Sequence, residues 1–116
     1  MTTPKDSNDR LAEGAVRAVL EQALVREASD VHLVPGYPVS YRVHGEVRTG
    51  DGGALDAAAV RGMVEAILPE RLLAHLNDTK SFDCSLSLRH GDVTTRFRAN
   101  VFQAQGNWCA CLRHVA

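Results

Sequence analysis

The residues with most capacity for chemistry lie in one run, Arg96-Phe97-Arg98-Ala99-Asn100-Val101-Phe102, and at Arg113 further on. A strand sends alternate side chains to opposite faces. If the run is a strand, Phe97, Ala99 and Val101 share the core face, while Arg96, Arg98 and Asn100 share the other. Arg113 falls on the next strand, beyond Gly106. Pairing that is symmetric about Gln105-Gly106 brings Arg98 and Arg113 side by side. Two converging guanidinium groups suit a phosphate or a carboxylate, because each donates planar, bidentate hydrogen bonds. The same spacing also fits solvated strand arginines, or arginines paired with Asp83 and Glu46. Spacing alone leaves both readings open.

Other reactive side chains make weaker constellations. Cys109-x-Cys111 puts two thiols on one face of a strand, Cys84 lies on another strand, and His44, His90 or His114 would have to complete a metal set. Structural zinc takes thiol pairs two to four residues apart on a wrapping loop. Cys109 and Cys111 are too extended for that and read as small buried hydrophobes. An i, i+2 disulfide within a strand has poor geometry. A nucleophilic enzyme needs a base beside an activated Cys or Ser, and a third group to orient the base. None of the five histidines falls in such an arrangement with Cys84, Ser85 or Ser87. With three Phe, two Tyr and one Trp there is little material for a large aromatic cofactor pocket, and Trp108 reads as an exposed anchor or a lid on the core.

These side chains must be positioned by a small fold. The chain has 116 residues, enough for one domain with a modest core. Thirteen basic against 14 acidic side chains give a net charge of −1, which argues against a nucleic-acid binder. No apolar run approaches the roughly 18 residues of a membrane span. Met1 to Arg10 is polar and mixed in charge, unlike a secretory signal. Three cysteines without framework spacing fit a reduced, cytoplasmic setting.

The elements follow from periodicity. Residues 1–8 are expected to be a disordered lead and 9–116 a single domain. Asn8 or Asp9 caps a helix to about Glu27, with Leu11, Ala15, Val16, Val19, Leu20, Ala23 and Leu24 as its apolar stripe. Val31 and Leu33 then alternate with His32 and Val34. Pro35-Gly36-Tyr37-Pro38 is a rigid turn. Val39 to Val43 and Glu46 to Arg48 make a hairpin about His44-Gly45. Asp56 caps a second helix through Val60, Met63, Val64, Ile67 and Leu68. Pro69 ends it and begins a short third helix, as its first residue, through Leu72, Leu73 and Leu76. Ser81 to Leu88, Val93 to Ala104 and Trp108 to Val115 are three strands with turns at Arg89–Asp92 and Gln105–Asn107, hence an antiparallel meander. The expected class is α+β, with an N-terminal helix and two central helices on a mostly antiparallel sheet.

Several of these segments together resemble the opening domain of the PilT/GspE family, the hexameric ATPases of type IV pili and type II secretion. They are Ala28-Ser29-Asp30-Val31-His32-Leu33, Pro35-Gly36-x-Pro38, Tyr41-Arg42-Val43-x-Gly45 and Ile67-Leu68-Pro69-Glu70-Arg71, then Phe82-Asp83-x-Ser85-Leu86-Ser87 and Arg96-Phe97-Arg98-x-Asn100-Val101-Phe102-x-x-Gln105-Gly106 with Leu112-Arg113. The likeness runs from about Leu11 to Val115, and the pilus retraction branch fits best. It implies a PAS-like domain joined by a linker to a RecA-like ATPase domain. On that resemblance, Arg98 and Arg113, with Arg96 as a third member, reach the γ-phosphate of the nucleotide. Asp30 and His32 belong to a signature that implies a domain or subunit contact; a local role, in which Ser29 or Asp30 binds nearby backbone, is the other reading.

The sequence contains no Gly-x-x-x-x-Gly-Lys-Ser/Thr, so nothing in it cradles β- and γ-phosphates. The expectation is a domain that does not hydrolyse ATP alone, either a fragment of a longer motor or a free-standing module that kept this part. In the full motor the implied cofactors are ATP and Mg²⁺. The implied partners are RecA-like domains of its own and a neighbouring subunit, and pilus or secretion platform proteins at the cytoplasmic face of the inner membrane. The competing reading is a PAS-like adaptor or sensor that binds protein partners without nucleotide, through the arginine face or the Pro35–Pro38 turn.

Overall fold

A computed structural model describes the backbone of residues 7–115 and side chains from residue 14 onward. The elements run α1 Ser7–Val25, β1 Ala28–Leu33, β2 Ser40–Val43, β3 Glu46–Thr49, α2 Ala57–Ile67, α3 Glu70–Leu73, β4 Ser81–His90, β5 Val93–Ala104 and β6 Asn107–Val115. The expected lead lies outside the described residues up to position 6, and α1 begins at Ser7, ahead of the anticipated caps. The helix stops at Val25 rather than Glu27. Glu27 takes a positive φ of 57° and turns the chain straight into β1, whose first residue, Ala28, is already buried.

The second helix forms as its pattern dictates. The Asp56 side chain accepts a hydrogen bond of 2.7 Å from the Ala59 amide, filling one of the orphan donors of the first turn. Val60, Met63, Val64 and Ile67 make its buried stripe. Pro69 follows, but as the capping residue of α3 rather than its first helical residue, with its carbonyl accepting from Leu73 at 3.1 Å. Leu72 and Leu73 pack at the core margin and Leu76, in the turn beyond, is buried.

All six strands join one antiparallel sheet in the order β3-β2-β1-β6-β5-β4. Strands β4, β5 and β6 form the expected meander. The turns are tighter than the sequence suggests. The ladder of β4 and β5 runs on to His90↔Val93, leaving only Gly91-Asp92 as the loop, and β5 meets β6 across Gln105-Gly106, since Ala104 pairs with Asn107. Gln105 and Gly106 have φ of 52° and 79°, the left-handed pair that suits the twist of a two-residue hairpin. The chain ends of the sheet meet in its middle, where β1 pairs with β6. The Pro35–Pro38 turn is fixed from outside: Gly36 donates to the Leu55 carbonyl at 2.7 Å and Leu55 donates to the Tyr37 carbonyl at 2.9 Å.

Helices α1 and α2 cover one face. Between them and the sheet lie Val31, Leu33, Phe97, Val101, Leu112, Val60 and Val64, each under 2% exposed. Burial of a side chain of this size contributes about 1.5–3 kcal/mol, so this layer dominates the stability of the domain. Trp108 closes one end of the core, 5.9 Å from the Phe82 ring between centroids. The fold is thus α+β and PAS-like, with the helices on one side of the sheet and the other side left open.

Candidate functional site

The open face is built by alternation. In β5, Phe97, Ala99 and Val101 are buried, while Arg96, Arg98 and Asn100 are exposed. In β6, Leu112 is buried and Arg113 is exposed. The Gln105-Gly106 turn sets the register so that Arg98 lies directly across from Arg113. Continuing outward, Arg113 faces Asp30 of β1, and Asp30 faces Arg42 of β2. On the other side, Arg98 faces Ser85 of β4. A single line of polar side chains therefore crosses five strands.

Asp30 is the anchor of this line. It is 7% exposed, and it is the one buried charged residue of the described structure. Its carboxylate accepts a hydrogen bond from Arg113 Nε at 3.0 Å and from the Ser29 hydroxyl at 2.8 Å, and Arg42 Nε stands 3.8 Å away. Burial pushes the Asp30 carboxyl up, but the Ser29 and Arg113 hydrogen bonds and the Arg113 charge outweigh it. The net result lies below the ordinary carboxylate range. The hydrogen bond and charge of Asp30 in turn raise Arg113 above its ordinary value. The Arg113 side chain remains 73% exposed, so this contact aims the guanidinium without covering it.

Arg98 differs from its neighbour. Among the described residues no carboxylate lies within ion-pair distance of it. Arg98, Arg113, Asn100, Asp83 and Cys111 line a shallow depression of about 370 Å³. Asn100 Nδ2 donates to Asp83 Oδ1 at 3.2 Å, which draws Asp83 toward the amide and away from a pairing with Arg98. The Asn100 amide is thereby occupied, also by the Phe82 carbonyl at 3.4 Å, so the donors that the hollow offers an anion are the two guanidinium groups, with the Asp83 carboxylate on the opposite wall.

The structure brings together Arg98 and Arg113 and sets Arg96 one row further along β5, opposite Val115 and outside the depression. Of the two residues expected at a domain contact, Asp30 turns its oxygens to Ser29 and Arg113 of its own domain, and the Ser29 hydroxyl also stands 3.5 Å from the Arg42 carbonyl. His32 sits half-buried on the same face, opposite Cys111. Glu46, named as a possible arginine partner, bonds to Arg48 at 3.1 Å. Sequence reasoning missed Arg42. Its alternation with Tyr41 and Val43 placed it on the open face, but its approach to Asp30 depends on the β1–β2 register.

The cysteines stay passive. Cys109 is buried, and burial pushes the Cys84, Cys109 and Cys111 thiols above their ordinary values, so none is an activated thiolate. Among the described residues no group of three or more His, Cys, Asp or Glu side chains gathers as metal ligands would, and no helix is long and apolar enough to cross a membrane.

No protein-family model matches the chain, and no curated protein matches it. Solved structures do. The crystal structure of the pilus retraction motor PilT with bound ADP superposes with a TM-score of 0.76 at 26% identity, covering 86% of this chain and 29% of that one. The ATPase DotB of Legionella pneumophila gives 0.75 at 21% identity over 89% of this chain and 29% of its own. DotB of Yersinia pseudotuberculosis gives 0.76 at 20% identity over 90% of this chain and 30% of its own. The DotB matches show the fold alone. The class so defined is a PAS-like α+β domain of the kind carried within such ATPases. The sequence motifs and the PilT match agree in their likeness to the PilT/GspE ATPases, and the chain spans less than a third of the length of the solved structures it matches.

Proposed function

We propose that the chain is the non-catalytic N-terminal module of a type IV pilus or type II secretion ATPase, in which Arg98 and Arg113 meet the γ-phosphate of a nucleotide held by a RecA-like domain. The observation that carries this reading is the direct pairing of the two arginines on the exposed, helix-free face. Neither guanidinium is covered by the domain itself, so both are available to a partner surface. A terminal phosphate attracts both groups, and its loss on hydrolysis removes that attraction. Nucleotide state thereby biases how closely the two domains sit, which is the only way a ligand shifts a conformational equilibrium. Arg96 is placed to join from the adjacent row.

Asp30 supports the reading as a counter-charge. It holds Arg113 pointed along the sheet while no phosphate is present, so little rotamer freedom is lost when one arrives. ATP and Mg²⁺ belong to the RecA-like domain. This module contributes positive charge and orientation, in a ring of six subunits at the cytoplasmic face of the inner membrane.

The test is made on the ATPase that contains or recruits this domain. Arg98→Ala and Arg113→Ala are each expected to leave the domain folded and to lower turnover by on the order of 10²-fold or more, within the range seen for arginines that stabilise phosphoryl transfer. Arg→Lys at either position also impairs, because an ammonium lacks the planar fork. Unchanged turnover in both Ala variants refutes the role. A second reading, an adaptor that binds protein partners without nucleotide, is favoured by Tyr37, 63% exposed on its pinned turn. It predicts that Tyr37→Ala abolishes partner binding while both arginine variants behave as wild type.

A further inference from the structure

The free edge of the sheet at β4 carries a pattern that the arginine site does not use. Strand β4 has ten residues, Ser81–His90, and pairs with β5 on one side only. A two-residue turn is closed by a hydrogen-bonded pair, here His90↔Val93. In an antiparallel ladder every second residue then turns both its N–H and its C=O outward. For β4 these are Ser81, Asp83, Ser85, Ser87 and Arg89. The Arg89 carbonyl agrees, since it accepts from Arg17 Nη2 of α1 at 2.6 Å instead of from β5. Arg89 is the one residue of this set whose carbonyl meets a side chain of another element among the described residues. A carbonyl oxygen has a second lone pair, so even that position is not closed.

Exposed edges of this length are usually blunted by proline, a bulge or an inward charge. Strand β4 has no proline, and its ladder with β5 runs without a register shift from Ser81 to His90. The opposite edge, β3, is only four residues long, and its Glu46 and Arg48 bond to each other.

We infer that the β4 edge is a pairing surface for a second copy of this chain, joined antiparallel about a two-fold axis at Leu86. The charges select this register. With Leu86 on the axis, Asp83 of each copy stands opposite Arg89 of the other, and Ser85 stands opposite Ser87. Both cross-strand charge pairs are attractive, and all are made between outward-turned residues, so the backbone bonds form in the same register. A shift of the strands by two residues sets Asp83 against Ser87 and leaves both charges without a partner. On the helix side, half-buried Leu86 borders a hollow of about 140 Å³ that Val16, Leu20 and Leu88 also line. The axis therefore brings Leu86 of one copy against Leu86 of the other, with Arg17 of α1, which also lines the hollow, at the margin of the contact. A two-fold contact needs one self-complementary patch, and this edge provides it.

The experiment is sedimentation or light scattering on the whole chain from about 10 µM to about 1 mM, with Asp83→Arg, Arg89→Asp and the double variant. The wild type is expected to move toward twice the monomer mass as concentration rises. Each single reversal makes two attractive pairs repulsive and weakens self-association by about tenfold or more. An equimolar mixture of Asp83→Arg and Arg89→Asp restores the dimer, as does the double variant alone, because both recreate opposite charges in the same register. Both positions are exposed, and circular dichroism checks the fold of each variant. A wild type that stays monomeric at the highest concentration overturns the proposal. So does a dimer indifferent to either reversal, or one that mixing fails to restore.

Discussion

Replacing Asp30 with Asn removes the charge around which the open face is arranged while keeping the shape of the side chain. In the native domain its oxygens lie 3.0 Å from Arg113 Nε and 2.8 Å from Ser29 Oγ. A hydrogen bond to a charged group contributes about 1.5–3 kcal/mol when well desolvated, whereas exposed ion pairs contribute about 0–1 kcal/mol. Asp30 is buried but the cations around it face solvent, so Asp30→Asn is expected to cost about 1–2 kcal/mol, between these limits. In urea, with a slope of about 1–3 kcal/mol per molar, the midpoint falls by about 0.3–2 M at unchanged slope. The effect depends on pH with a definite sign. The folded carboxyl titrates below its ordinary value, so its stabilisation is complete above the unfolded value of about 3.9 and is lost as pH falls through the lowered folded value. The gap between wild type and Asp30→Asn is therefore constant from pH 7 to about pH 5 and closes below about pH 4. A gap that persists undiminished at pH 2, or no gap at pH 7, refutes this account of the charge line.

Two further outcomes follow from the hairpin and the thiols. Gly106 has a φ of 79°, so Gly106→Val places a β-branched residue in the left-handed region and is expected to cost about 1–3 kcal/mol; hydrogen exchange at Arg98 and Arg113 speeds up with it, and unchanged protection refutes the role of the turn in holding their register. The three thiols should react slowly with iodoacetamide at pH 7 in the folded chain, Cys109 slowest because it is 2% exposed; rapid labelling of Cys109 without unfolding contradicts its placement.

Local pattern carried much of this structure. The alternation from Val93 to Ala104 defined β5 and its two faces, the i, i+3, i+4 stripe defined α2, and symmetry about Gln105-Gly106 was enough to bring Arg98 opposite Arg113. What the sequence did not disclose is long-range. The pairing of β1 with β6 joins residues more than 70 positions apart, and no periodicity encodes which distant strand will fill the middle of a sheet. The Asp30–Arg113 bond exists only because of that pairing, and so does the approach of Arg42 from the far side of β1. Boundaries shifted for local reasons: Glu27 broke α1 by its left-handed backbone, and Pro69 capped α3 from an extended conformation. The functional reading needed more than pattern, since two strand arginines spaced this way are also an ordinary solvated surface. Their shared exposure on a helix-free face, on the wall of one hollow, gives that reading its physical footing.

The loop of two residues between β5 and β6 also acts as a rule of parity. Side chains on a strand change sides at every step, so adding or deleting one residue at Gln105-Gly106 would swing Arg113 into the space now filled by Leu112, unless a bulge absorbed the change. What matters is the register and not the loop length: a longer loop that leaves Ala104 opposite Asn107 keeps the guanidinium pair outward, whereas a ladder slipped by one residue sends a cation into the apolar layer. The Gly91-Asp92 loop is bound by the same rule, because it sets Ser85 opposite Arg98 and Asp83 opposite Asn100.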